Sequence, residues 1–388
     1  MRWRVARSAS DVDAAAWNAL TDDVELGHAW FRALELSRTP RVDARHVVVE
    51  EGDRVVAVLP CFLACEDPYY TVRERIFGPL RVGPGRRGRP ALVAYSPLVQ
   101  RTVLLRDEKA GAAQVLPLCF EATRAICEQE GVDLECWPFV SDEDAELARA
   151  LREHGYANAF LAPRARLDTS RFASFEEYLA RFKSVSQKRH KQLRNEINRF
   201  RRSGVEIRET GLRAVDPDQL ARLQQTHYGR HNEGAPSPYG SAFFGALARE
   251  LGETALLHAA WREGELVSYS VVLAGALRWH MFLSGDLDEE SAHAGRLHFS
   301  LNYYYPTERA IERGVRELDY GLSTYDLKLR RGCALEPVRL YARSHDALMR
   351  SWLPGWLSLV DRWYRRKHAA LPTSDWDPHP VVQPRKAD

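Results

Sequence analysis

The chain is 388 residues long, with 55 Lys and Arg against 53 Asp and Glu, a formal net charge of +2, 45% hydrophobic residues and 28% charged residues. That balance excludes a disordered or fibrous chain. It also leaves any attraction to phosphate, nucleic acid or an anionic membrane to local clusters rather than to the field of the whole molecule. At roughly 150 residues per domain the length predicts two domains with a helical appendage.

The N-terminal MRWRVARSASDVDAAAW has no signal-peptide apolar run, and no stretch approaches the roughly 18 apolar residues of a membrane span, so a cytoplasmic protein is expected. Cys61, Cys65, Cys119, Cys127, Cys136 and Cys333 form no CxxC pair and have mostly apolar neighbours, which predicts reduced, buried thiols.

Between Asp11 and Leu36 the apolar positions Val12, Ala15, Ala16 and Leu20, then Trp30, Phe31 and Leu34, recur at helical spacing and predict two helices broken near Gly27. The run HVVVEEGDRVVAVL, from His46, reads as a β-hairpin because Gly52 supplies the positive φ of a tight turn. Residues 78–97, rich in Gly, Pro and Arg, read as loop. Helices are expected over 117–130 and 142–154, with a strand over 133–139 between them.

The same order then returns. Helices are expected over 217–231 and 241–251, followed by a second hairpin in ALLHAAWREGELVSYSVVLAG. A strand in RWHMFLSGD, a helix over 297–313 and a strand over 316–321 complete the copy. Internal duplication accounts for the length. The implied boundaries are 1–165, a connector over 166–204, 205–346 and a tail over 347–388.

The connector FEEYLARFKSVSQKRHKQLRNEINRFRRSG carries two apolar stripes, Phe175, Tyr178, Leu179 and Phe182, then Leu193, Ile197 and Phe200. Ser184 or Ser186 is a suitable N-cap for the second helix, so Lys188, Arg189 and Lys191 sit where backbone N–H groups are unpaired. Cations in a first turn oppose the helix dipole unless an anion arrives, which points to a phosphate or carboxylate site. Further on, two strand-like runs around Leu318–Leu322 and Val338–Tyr341 flank a loop with Lys328, Arg330 and Arg331, expected to present positive charge to an anion.

The SxKRxxxLR run at Ser186–Arg194, the helix LHFSLNYYYPTERAIERG and the GLSTYDLKLRRG loop resemble the tandem GNAT-fold N-acyltransferases, including the FemABX-like aminoacyl transferases, over nearly the whole chain to His345. The resemblance implies an α/β (α+β) fold of two GNAT-like mixed-sheet domains in tandem. It further implies that Lys328 lies beside the donor acyl group and that Lys188 and Arg194 hold acceptor phosphates. One departure stands out. Before Leu297 the sequence reads DEESAHAGRL, with no Q/RxxGxG/A loop of the kind that cradles pyrophosphate in ordinary GNAT acetyltransferases.

Amide formation needs a neutral amine, an activated carbonyl and donors facing the oxyanion. Lys328 suits the oxyanion, with Arg330 or Arg331 as phosphate anchors. Candidate bases are Asp286 at the end of RWHMFLSGD, and His231 or Glu233 in RHNEG. Tyr304, in the Tyr303–Tyr305 run, is a candidate cleft residue. Expected co-substrates are an acyl-CoA or acyl-carrier protein, or an aminoacyl-tRNA, and an amine acceptor. No tightly bound cofactor is expected.

His227 and His231 stand four apart, but no third ligand is evident and no metal is expected. Nine cations against Glu196 alone between Arg181 and Arg202 suit a phosphate backbone, which keeps a tRNA-borne donor open, while a stand-alone DNA- or RNA-binding module is disfavoured because the acidic remainder of the chain nearly cancels the charge. In the tail, Trp352, Trp356, Leu359 and Trp363 share a face beside Arg362, Arg365, Arg366 and Lys367. This reads either as a helix packed on the second domain, the favoured reading, or as an interfacial membrane helix.

Overall fold

Two β-hairpins set the frame. The first is β3 (His46–Glu51) and β4 (Arg54–Leu59), flanked by β1 (Arg2–Ala6) and β7 (Leu105–Arg106) in a four-stranded sheet of order β1-β3-β4-β7. The second is β11 (Ala255–Arg262) and β12 (Glu265–Ala274), closed at Glu263 and Gly264, both in the left-handed region at φ 52° and 86°. The computed structural model describes residues 1–39, 43–64, 90–287, 297–369 and 371. Cys65, most of the expected 78–97 loop and the DEESAHAG segment lie outside the described residues; the other five cysteines are buried and form no disulfide among the described residues.

The second hairpin belongs to an eleven-stranded sheet of order β10-β11-β12-β13-β14-β9-β15-β8-β6-β5-β2. Its members are β2 (Asp43–Ala44), β5 (Cys61–Ala64), β6 (Ala91–Ala94), β8 (Leu134–Ser141), β9 (Ala157–Asp168), β10 (Glu206–Gly211), β13 (Arg278–Asp286), β14 (Glu317–Gly321) and β15 (Ala334–Ser344). Strand β6 corrects the reading of 78–97 as loop throughout: ALVA is fully buried and pairs with both neighbours.

Each half contains one parallel pair at its centre, β6 with β8 and β13 with β14. The halves then exchange their last strands. β9 enters the second half and lies antiparallel to β14, while β15 returns to pair with β8. The 165/166 boundary therefore falls inside β9, and one continuous sheet joins what the sequence divides.

Helices cover the sheet. In the first half α1 (Ala14–Asn18) and α2 (His28–Ser37) precede the hairpin, and α3 (Ala112–Glu130) and α4 (Ala145–Glu153) flank β8. Helix α3 begins ahead of Pro117, which it contains, rather than at it. The connector forms α5 (Phe175–Val185) and α6 (Gln187–Arg201). Ser186 ends the first and caps the second, its Oγ accepting from the Arg189 N–H at 3.3 Å.

On one face of the second half lie α7 (Pro217–His231) and α8 (Ser241–Leu251), the latter packed on α2 of the first half. On the other lie α5, α6 and α9, which runs through Leu297–Phe299, a π-helical turn at Ser300–Tyr304 and Tyr305–Glu312. A short helix α10 (Tyr325–Leu329) occupies part of the expected cationic loop. Helix α11 (Ala347–His368) packs on β9.

Candidate functional site

The parallel pairing of β13 with β14 lasts only from Arg278↔Glu317 to His280↔Asp319. β13 runs on to Asp286 with β12 on one side, while β14 ends at Gly321 beside β9. The strands part at that point, leaving a gap between backbone edges in the middle of the second half.

Two buried groups fix the end of β14. Asp319 receives the Arg164 guanidinium and the Gly321 N–H, the latter at 2.8 Å, while Arg164 also donates to the carbonyls of Val99, at 2.8 Å, and Gln100. Burial opposes the Asp319 charge, but Arg164 and then His280 hold its carboxyl well below the usual range. Lys328 is only 6% exposed, and its ammonium donates to the carbonyls of Tyr320 at 2.6 Å, Leu322 at 2.8 Å and Gly321 at 3.4 Å. Its three N–H donors are thereby committed to the end of β14. The expectation of an outward-facing charge is corrected here: a strand that stops inside the molecule leaves carbonyls that need a donor, and Lys328 supplies it.

Arg331 is likewise buried. Its guanidinium lies 3.9 Å from the Phe299 ring centroid and donates to Glu196 Oε2 at 3.0 Å. Tyr304 also donates to Glu196, so the tyrosine expected in the cleft is instead buried against α6. The π-helical turn explains this. One extra residue per turn brings Tyr303 and Tyr304 inward together, Tyr303 stacking on Tyr320 at 5.0 Å.

Beside this cluster Arg189, Gln192, Leu193, Glu196, Phe299, Leu327, Arg330 and Arg331 line an open hollow of about 140 Å³. The connector and the late lysine–arginine turn, separated by more than a hundred residues, thus meet. Arg189, Arg330 and Arg331 are brought together; Lys188 and Arg194 are not among the lining. Lys188 is exposed in the first turn of α6, and Arg194 reaches across to Glu176 on α5, with Nη1 3.2 Å from Oε1. Lys191, Arg199, Arg201 and Arg202 are exposed along the same helix.

On the opposite face, Asp286 meets α7. His227 Nδ1 lies 2.8 Å from Asp286 Oδ2, and Arg230 pairs with Oδ1. Burial, followed by the Arg230 charge, pulls His227 down to about 4, so the imidazole is neutral near pH 7. His231 is exposed with its ring 4.8 Å from that of His227, and Glu233 is exposed in the turn beyond. Of the three candidate bases, only Asp286 is buried, and it is already engaged by a guanidinium. The four-residue spacing to His231 raised no metal expectation for His227; its partner in the structure is a carboxylate fifty-nine positions away, which no local pattern shows.

Cys127, Glu135 and His345 also approach within 4.8 Å of one another. Glu135 is held down to about 2 by hydrogen bonding from His345, the Arg343 charge and Tyr156 despite its burial, and burial raises the Cys127 thiol. A neutral thiol beside a guanidinium does not suit a cation.

The FemAB-like family model, described as peptidoglycan biosynthesis and recognition, matches residues 8–374. No curated protein matches the sequence significantly. Among solved structures, FemX superposes with a TM-score of 0.58 at 10% identity, covering 88% of this chain and 97% of that one. A C-terminal domain described as that of a lysylphosphatidylglycerol synthetase from Agrobacterium fabrum gives 0.56 at 13%, covering 92% and 98%. A tandem GNAT protein from the clavulanic acid pathway gives 0.51 at 13%, covering 88% and 98%. The fold is a tandem GNAT-like fold.

Proposed function

This chain belongs to the FemAB-like family, and from that premise we propose that it is an amide-forming N-acyltransferase taking an activated acyl group from a phosphate-bearing thioester. Family membership supports acyl transfer in general; the donor and the roles below are our reading. The observation that carries it is the shared hollow, which brings Arg189 of the connector together with Arg330 and Arg331 of the late turn. Guanidinium groups there suit donor phosphates, and the gap is shaped for an extended acyl-bearing arm whose amide groups would pair with the strand edges.

In this reading the amine approaches from the α7 face. Its nitrogen attacks the carbonyl carbon, backbone N–H groups of β13 beyond His280 face the oxyanion, and collapse breaks the C–S bond. The thiolate leaves and is protonated, while the proton lost by the attacking nitrogen passes to His227 Nε2, with Asp286 orienting Nδ1–H. Lys328 shapes the end of β14 and does not itself meet the oxyanion.

The exposed cations of α6 favour a second reading, an aminoacyl-tRNA donor, in which an ester C–O bond breaks instead. The two are separated by incubating the protein with acyl thioesters and with charged tRNA in the presence of an amine pool. Release of free thiol with amide formation supports the first; ribonuclease-sensitive transfer supports the second. Consumption of neither donor refutes both.

A further inference from the structure

Helix α11 carries more apolar surface than it buries. Met349, Leu353, Leu357, Val360 and Tyr364 form the face packed into the core. A second stripe runs beside it at spacings of four, four, three and four: Leu348, Trp352, Trp356, Leu359 and Trp363. At about 100° per residue these five fall within about 80° of arc. Trp352 and Trp356 are half-buried against the core, but Leu348 is 75%, Leu359 51% and Trp363 57% exposed. Three of the eight large apolar side chains exposed among the described residues therefore stand on one stripe of one helix, which isolated surface apolars would not do.

Charge on the helix is one-sided. Its one acid, Asp361, is buried, accepting from the Phe160 N–H at 2.7 Å and from Arg365 at 2.7 Å. Arg350, Arg362, Arg366 and Lys367 are exposed. Arg362 and Arg366 fall on the outer flank of the apolar stripe, and the Lys367 ammonium lies 5.5 Å from the Trp363 ring centroid.

We propose that this face of α11 docks the protein on an anionic lipid surface, the helix lying in the plane of the interface. A bilayer satisfies every feature at once. Leu348 and Leu359 reach the acyl boundary, Trp363 sits at headgroup depth, and Arg362, Arg366 and Lys367 meet anionic headgroups. RNA would use the cations and the tryptophan, but an exposed leucine has no π-face on which a base can stack. A second copy of this chain would bring like charges together along the stripe. The packed and the interfacial readings of the tail thus both apply, to adjacent faces of one helix.

The experiment is co-sedimentation of the full chain with vesicles of phosphatidylcholine alone and of phosphatidylcholine with phosphatidylglycerol, at several salt concentrations. Expected is binding to the anionic vesicles that falls about tenfold or more in the neutral ones and weakens with salt. Leu359→Ser with Trp363→Ser should reduce binding at least tenfold at unchanged melting temperature, and Arg362→Glu with Arg366→Glu should abolish the preference for anionic lipid. No vesicle binding, or binding that ignores both pairs of substitutions, overturns the proposal. So does a dimer in sedimentation equilibrium, or tRNA binding, that the serine pair abolishes while lipid binding persists. Acyl-transfer activity on soluble substrates is not the readout, so this result stands apart from the outcome of the donor assay.

Discussion

Glu196 accepts a hydrogen bond from Arg331 at 3.0 Å, across 135 positions of sequence, and both groups are buried. It is the one acid between Arg181 and Arg202, a run crowded with cations, and this contact fastens α6 to the turn after α10, with Tyr304 of α9 donating to the same carboxylate. Glu196→Ala would leave a buried guanidinium without its counter-charge, a loss of roughly 3–5 kcal/mol. Pairing it with Arg331→Met should recover a large part of that loss. Urea unfolding of the two single variants and the double variant checks the coupling, and additive losses would show that the pair does not act as a unit.

Lys328 gives a prediction opposite to the one its sequence context invites. A catalytic lysine on a solvated loop could be replaced with loss of turnover and an intact fold. The ammonium that holds three carbonyls cannot, and Lys328→Met should destabilise by roughly 1–3 kcal/mol for the carbonyls left unmet.

The pH dependence follows from the same burial, which brings the Lys328 ammonium down to about 8. Unfolded lysine titrates near about 10.4, so between these values the unfolded chain binds the extra proton. This lysine's contribution is therefore least favourable below pH 8 and improves as the pH rises toward about 10.4. The difference in unfolding free energy between wild type and Lys328→Met should move in favour of wild type from pH 8 to 10; a constant difference would mean that the ammonium stays charged throughout.

The two hairpins, the β13 strand and the connector helices were legible because each carries its own signal: alternation around Gly52 and Gly264, or an apolar stripe capped by Ser186. Strand β9 was not equally so. ANAFLAPRARLD contains Pro163, lacks clean alternation and is paired on both sides by strands of distant sequence, so its local pattern is that of a buried run without a period. The cations in the candidate site were visible as charge, but which of them face water was not. That depends on where β14 stops and on the π-helical turn that brings Tyr303 and Tyr304 inward together, both set by tertiary packing.

Gly285 precedes Asp286 on β13, and a Cβ there would stand 2.6 Å from Tyr269 Cε1. The ring cannot swing aside. Tyr269 is buried and its hydroxyl donates to Gln224 Oε1 at 3.1 Å. Gly285→Ala should therefore cost roughly 1–3 kcal/mol and disturb the Asp286 carboxylate next to it. Combined with Tyr269→Val, the alanine should cost less than it does alone, because the obstructing ring is gone. Thermal unfolding of the cycle decides this, and a strictly additive cycle would rule out the steric cause.

His227 is the sharpest test of the chemistry on the α7 face. With its imidazole held near 4 by burial and Arg230, it is a weak base for a free ammonium but a sufficient one for the nitrogen of a tetrahedral adduct, which is far more acidic. His227→Gln should lower kcat by roughly 10²–10⁴-fold, and Asp286→Asn should lower it through loss of the 2.8 Å hydrogen bond that fixes the tautomer. At saturating amine the kcat of the wild type should show no limb near 6.5 assigned to this residue. Stability supplies the second readout. Unfolded histidine takes up a proton near about 6.5 that folded His227 refuses until about 4, so its contribution falls as the pH drops through that window. His227→Gln should lose less stability than wild type between pH 6.5 and 4. A variant with wild-type kcat would remove His227 from the reaction, whereas a variant that loses kcat but melts in parallel with wild type across that window would keep the base and discard its lowered proton affinity.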